Sequence, residues 1–183
     1  HRHRELQMIN YRQLLPTTTH LFCYNVASNL ATAVMSEYEN VRGMRVGIAN
    51  GSCCAAVAVN ITGNYPAYAG TAYGICFGNS QIAIHHLAPI PAAVAGHAER
   101  VAMGTATALG GPGLMLFPQP APPAPAPPSF IAVLYVELEP CLSCQTWLGA
   151  TYPTVNLDVW YKFPYTSAGI AQMDAEHAQW RAV

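Results

Sequence analysis

The stretch IAVLYVELEPCLSCQTW, residues 131–147, decides how the chain folds. Its opening run is almost continuously apolar and rich in β-branched and aromatic side chains, which predicts a strand covered on both faces. Pro140 cannot continue a strand ladder, and CLSCQTWLGA beyond it predicts a helix, so Cys141 and Cys144 fall where a central strand stops and a helix starts. Helix-terminal amides carry partial positive charge, which lowers a thiol pKa, so the position favours thiolates. A C-x-x-C pair by itself serves disulfide exchange, metal binding or packing.

A second source of ligands lies upstream in GHAERVAM, residues 96–103. From His97 onward Ala98, Val101, Ala102, Thr105, Ala108 and Leu109 recur at spacings of three and four up to Gly110-Gly111, predicting a helix with one buried face. Right-handed crossovers between neighbouring strands would bring the start of that helix beside the helix that carries the thiols. His97, Cys141 and Cys144 then supply three ligands of the kinds zinc prefers and leave its fourth tetrahedral position to water, the arrangement of a catalytic site. Glu99 stands two residues beyond His97, where a carboxylate can handle protons on that water. H-x-E followed by P-C-x-x-C is the signature of zinc deaminases, and HAE with PCLSC matches it at every specified position. The plainer alternatives are a structural zinc or a redox pair for the cysteines, and an exposed first-turn carboxylate for Glu99.

On these residues the chain resembles the cytidine deaminase-like superfamily, and LYVELEPCLSC with HAERVAM is especially similar to its tRNA adenosine deaminase branch. The resemblance covers roughly His97 to the C-terminal helix. It implies an α/β fold, a three-layer α/β/α sandwich around a mixed sheet of four to five strands, one catalytic Zn2+ with a bound water, and hydrolytic deamination of an aminopyrimidine or purine. The sequence departs from that pattern where no fifth strand is evident before Val183 and where a proline-rich insertion interrupts the common core. By the same resemblance Arg100 would offset the charge of the thiolates, as a similarly placed Arg does in small cytidine deaminases; the alternative is a solvated helix residue. The resemblance also places Asn79 and Ala98 at the substrate, Asn79 toward the sugar, although Asn79 lies farther from His97 in sequence than the family pattern suggests.

The rest of the chain reads as a single deaminase domain, residues 1–183, with one decoration. NLATAVMSEYENVRG places Leu30, Val34, Tyr38 and Val41 on one helical face, with Ser28 as cap and Gly43 as stop, and ELQMINYRQLL before it is expected to be a further helix. CCAAVAVNI and TAYGICFGN predict strands separated by the turn-rich TGNYPAYAG, and MRVGIA, turned by Asn50-Gly51, is a candidate extra strand. PQPAPPAPAPP, at about residues 118–128, has too few amide donors to join a ladder and reads as an extended surface insertion or as a proline-motif ligand. TVNLDVWYKF predicts a strand and AGIAQMDAEHAQWR a last helix. Strands alternating with helices imply a sheet between helical layers, its later strands parallel.

Composition narrows the function. Charged residues are 9% of the chain and the formal net charge is −1, so no global basic field exists, which counts against a duplex-coating binder. A nucleic-acid partner would be held by a local groove and by stacking. No apolar run approaches the roughly 20 residues of a membrane span, and HRHRELQ lacks the core of a signal peptide. The start at His1 instead of Met suggests a domain cut from a longer protein. Free thiols in a reducing compartment are expected, with Cys53, Cys54 and Cys76 as buried packing residues.

VWYKFPY offers Trp160, Tyr161, Phe163 and Tyr165 around Lys162. The resemblance places this stretch beside the pocket, with Tyr161 or Tyr165 as the candidate for stacking on bases; alternate strand residues must also face the core, so at least half of these rings are expected to be packing. His85 and His86 read as solvated loop residues or as residues at the pocket mouth. Three functions remain. The favoured expectation is a cytosine deaminase acting on DNA or RNA, resembling the toxin domains at the ends of bacterial secreted effectors. That resemblance implies action in the cytoplasm and an immunity protein as partner. The second is a free nucleoside or base deaminase for cytidine, adenosine or guanine, working as an oligomer. The third is a noncatalytic binding module, against which the intact Glu99 argues.

Overall fold

The computed structural model describes residues 9–15, 22–43, 51–60, 73–80, 96–107, 115–116, 131–153 and 157–182. In chain order these form β1 (Ile9–Gln13), α1 (Phe22–Gly43), β2 (Cys54–Asn60), β3 (Tyr73–Asn79), α2 (Ala98–Thr107), β4 (Met115–Leu116), β5 (Ile131–Leu138), α3 (Leu142–Thr151), β6 (Leu157–Phe163) and α4 (Ser167–Ala182). The fold is α/β. Five strands of five to eight residues make a mixed sheet in the order β1-β6-β5-β2-β3, and the two-residue β4 pairs with the outer edge of β3. The later strands are parallel as expected, β5 to β6, and β6 is also parallel to β1. β2 runs antiparallel to both β5 and β3.

β5 occupies the middle because both of its faces can be buried without cost: Val133, Leu134, Tyr135 and Val136 are all buried. Its side chains alternate between two cores. Leu134 and Val136 join Ala98, Ala102 and Met103 of α2 and Leu148 of α3, while Val133 and Tyr135 join Val26, Leu30, Val34 and Tyr38 of α1. The same alternation in β2 sends Ala55 and Val57 to the first core and Cys54, Ala56 and Ala58 to the second. Helix α2 comes closest to the sheet at Gly78, where a Cβ would lie 2.2 Å from the Ala98 carbonyl oxygen and 2.4 Å from the Ala102 nitrogen. The missing side chain lets the first turns of α2 rest directly on β3, and this seats the helix start that carries His97 and Glu99.

β1 corrects the expectation of a helix over ELQMINYRQLL. Ile9–Gln13 pairs in register with Leu157–Tyr161, Leu14 N donates to the Tyr161 carbonyl at 2.6 Å, and Asn10 Nδ2 donates to Asp158 Oδ1 at 3.4 Å. Local preference in this stretch is weak, whereas the edge of β6 offers a row of unpaired amides and carbonyls; the tertiary pairing wins. β1 thereby supplies the fifth strand that is not evident near Val183, from the opposite end of the chain. The start of α1 is corrected as well. The helix begins at Phe22, so Ser28 lies inside it instead of capping it, and its carbonyl accepts a hydrogen bond from Thr32 Oγ1 at 3.2 Å.

MRVGIA, the proline-rich insertion, His85 and His86 lie outside the described residues. Among those described, no helix is long and apolar enough to cross a membrane. Cys53, Cys54, Cys76, Cys141 and Cys144 are free thiols, and the first three are buried as expected.

Candidate metal centre

Two helix starts build the site. Gly96, with φ of +81°, turns the chain into α2 through a backbone conformation that side chains rarely adopt, and His97 immediately precedes the helix. Cys141 holds the N-cap position of α3 in extended conformation, and its sulfur makes no capping bond. The turn is held instead by Gln145, whose backbone N donates to the Cys141 carbonyl at 2.9 Å and whose Nε2 donates to the Pro140 carbonyl at 3.0 Å. Cys144 follows one turn later and is buried.

The ligand atoms of His97, Cys141 and Cys144 all lie within 4.8 Å of one another. Cys144 Sγ is 3.3 Å from His97 Nδ1. A tetrahedral zinc bonded at about 2.0 Å to nitrogen and about 2.3 Å to sulfur holds two such atoms roughly 3.5 Å apart. The donor set suits that ion, and a cavity of about 240 Å³ lined by all three residues leaves room for a fourth ligand. These side chains could hold a metal ion, and their geometry is compatible with zinc.

Glu99 lines the same cavity and is only 5% exposed. The expected depression of thiol pKa is corrected at Cys144. Burial pushes this thiol up, the neighbouring Glu99 carboxylate adds to the effect, and Arg100 pulls the other way. A metal ion at bonding distance would oppose both effects and favour the thiolate. Arg100 is not a solvated helix residue. It is buried, its Nη2 donates to Ser143 Oγ at 2.9 Å, and its guanidinium lies 5.4 Å from the centre of the Trp147 ring.

The remaining predicted residues divide. Tyr165 lines the cavity and is 54% exposed, its backbone N donating to Glu139 Oε1 at 3.1 Å. Trp160 and Phe163 are both buried, on opposite faces of β6 and in different cores. Tyr161 is half-buried on β6, its phenol pushed up by burial and by Glu139. Asn79 is buried at the end of β3, where its Oδ1 accepts from Ser52 Oγ at 3.2 Å. Ala98 is buried in the core beneath α2. The structure thus brings His97, Glu99, Cys141, Cys144 and Tyr165 around one cavity, and does not set Asn79, Ala98 or Tyr161 among the residues that line it.

Sequence reasoning missed Cys53, Ser80 and Glu139, which do line it. The adjacency of Glu139 to Pro140-Cys141 was a usable signal. Cys53 gave none, because a cysteine at the start of an apolar strand reads as packing. Comparison of the chain with protein-family models, curated proteins and solved structures finds no match.

Proposed function

We propose that this chain is a zinc-dependent hydrolytic deaminase of a nucleobase, with Zn2+ held by His97, Cys141 and Cys144 and protons carried by Glu99. The observation that supports it most is the meeting of one imidazole and two sulfurs within 4.8 Å beside a nearly buried carboxylate, all on one cavity. The alternation of helix contacts between the two cores is also in keeping with a three-layer cytidine deaminase-like sandwich.

Zinc in such a site supplies Lewis acidity that brings water toward ionisation near neutral pH. Glu99 takes the proton that water gives up and returns protons to the ring nitrogen and to the departing amine. The ring carbon gains an oxygen, its bond to the amine breaks, and ammonia leaves; cytosine plus water gives uracil plus ammonia. Leu138 and Pro140 wall the cavity and limit bulk water around the carboxylate.

We favour cytosine in DNA or RNA as the substrate. Tyr165 supports this, since an exposed ring at the mouth of the cavity is a stacking surface for a neighbouring base. Action in the cytoplasm and neutralisation by an immunity protein belong to this reading. A specific observation favours a second one, deamination of a free nucleoside or base: none of the described residues lining the cavity is Lys or Arg, and Glu139 adds negative charge.

Purified protein incubated with free cytidine, adenosine and guanine, and separately with single- and double-stranded DNA and RNA, distinguishes the two by ammonia release and sequencing. Base changes in a polynucleotide support the first reading. Conversion of free cytidine alone replaces it with the second, and no ammonia from any substrate ends the deaminase proposal.

A further inference from the structure

Part of the cavity wall is the short segment Gly51–Cys54, which leads into β2 and is held to the end of β3 where Ser80 N donates to the Cys53 carbonyl at 2.9 Å. Gly51 and Cys53 line the cavity, and Gly51 has a left-handed φ of +77°. Three amides of this segment go to side chains from elsewhere in the fold. Gly51 N donates to Asp174 Oδ1 at 2.6 Å, Cys53 N to Ser80 Oγ at 2.8 Å, and Cys54 N to Glu137 Oε1 at 2.9 Å.

Two of these three anchors lead to α4. Asp174 is on that helix and acts directly. Glu137 is on β5, fully buried, and its other oxygen lies 2.8 Å from Nε2 of His177, three residues beyond Asp174 on α4. Tyr38 Oη also donates to Glu137, at 3.0 Å. The helix thus reaches both ends of the wall, one end through a single carboxylate and the other through a buried histidine and glutamate. Side-chain hydrogen bonds of this kind add to the hold of the β2–β3 pairing, most at Gly51, which lies outside the ladder.

We propose that Asp174 is a positioning residue: through Gly51 it fixes the wall of the metal cavity, so that α4, which contributes no residue to that cavity, sets how well substrate is held in it. The identity of that substrate rests on the deaminase reading; the fixing of the wall does not.

Amide hydrogen exchange and turnover test this in Asp174→Ala, Asp174→Asn and Glu176→Ala. Asn keeps an oxygen that can accept from Gly51 N. Glu176 pairs with Lys162 and ties α4 to β6 without touching the wall, so its removal controls for a loosened helix. In Asp174→Ala, exchange in the segment 51–54 is expected to speed up about tenfold, with the amides of α4 itself unchanged. KM should rise by about the same factor while kcat stays within about twofold and metal content is retained. Asp174→Asn should recover most of both effects, and Glu176→Ala should show neither.

Unchanged exchange in Asp174→Ala overturns the proposal, and so does an equal effect from Glu176→Ala. Faster exchange with an unchanged KM shows that the wall does not hold substrate, which also overturns it. If the wild-type protein deaminates nothing, the deaminase reading falls by itself, and the exchange comparison still decides whether Asp174 fixes the wall.

Discussion

Arg100 Nη2 donates to Ser143 Oγ across 2.9 Å, so the first turn of the helix bearing Glu99 is tied to the first turn of the helix bearing Cys144. The guanidinium also stacks near Trp147 and moderates the burial that pushes the Cys144 thiol up. Groups that orient metal ligands without touching the metal typically contribute about 10- to 100-fold to affinity. Arg100→Ala is therefore expected to weaken zinc binding within that range in competition against a chelator, and Ser143→Ala to weaken it less. Equal affinity in Arg100→Ala and wild type would remove Arg100 from the account.

Glu99 and Cys144 should separate chemistry from metal binding. Glu99→Ala is expected to keep stoichiometric zinc by elemental analysis and to lose turnover. Cys144→Ala should lose both the metal and a large part of the stability that binding contributes. Retained turnover in Glu99→Ala would show that another group carries the protons.

Gly78→Ala tests the contact that seats α2. The added methyl carbon would meet backbone atoms at 2.2 and 2.4 Å, so the helix must move. Overpacking of this kind costs about 1–3 kcal/mol, and here the displacement also shifts His97 away from the two sulfurs. Denaturant unfolding should register the loss of stability, and chelator competition a parallel loss of zinc affinity.

Tyr11 tests the placement of β1. It faces the same core as its register partner Val159, and its hydroxyl is buried with no hydrogen-bond partner among the described residues. Removing an unsatisfied buried hydroxyl while keeping the ring should raise stability, by about 1 kcal/mol. Tyr11→Phe is expected to show this in urea unfolding. Were Ile9–Gln13 a solvent-facing helix, the substitution would be neutral.

Cys76 gives a pH dependence. Burial in the core holds its thiol up at about 12 against an ordinary 9.0. The folded state thus keeps a proton that the unfolded chain releases, so the contribution to stability is complete below pH 9.0 and is lost as pH rises toward about 12. Within that window the thiol adds a slope of about −1.4 kcal/mol per pH unit. Cys76→Ala should be less stable at pH 8 because of the void, yet lose stability less steeply between pH 9 and 11 than wild type does.

The sequence by itself determined the elements whose period is unambiguous and the residues whose chemistry is local. The apolar run of β5, the three-and-four spacing of α2 and the paired thiols after Pro140 each carry their message within a dozen residues, and the structure brings His97, Cys141 and Cys144 together as that pattern required. Only the tertiary structure decided what depends on distant partners. Ile9–Gln13 is a strand because β6 presents an open edge, and the Cys144 thiol is pushed up because burial and the Glu99 carboxylate surround it. Cys53 becomes a cavity wall because Asp174, Ser80 and Glu137 hold the segment around it. Pairing, desolvation and long-range hydrogen bonds are set by which groups end up adjacent, and no local window of the chain contains that information.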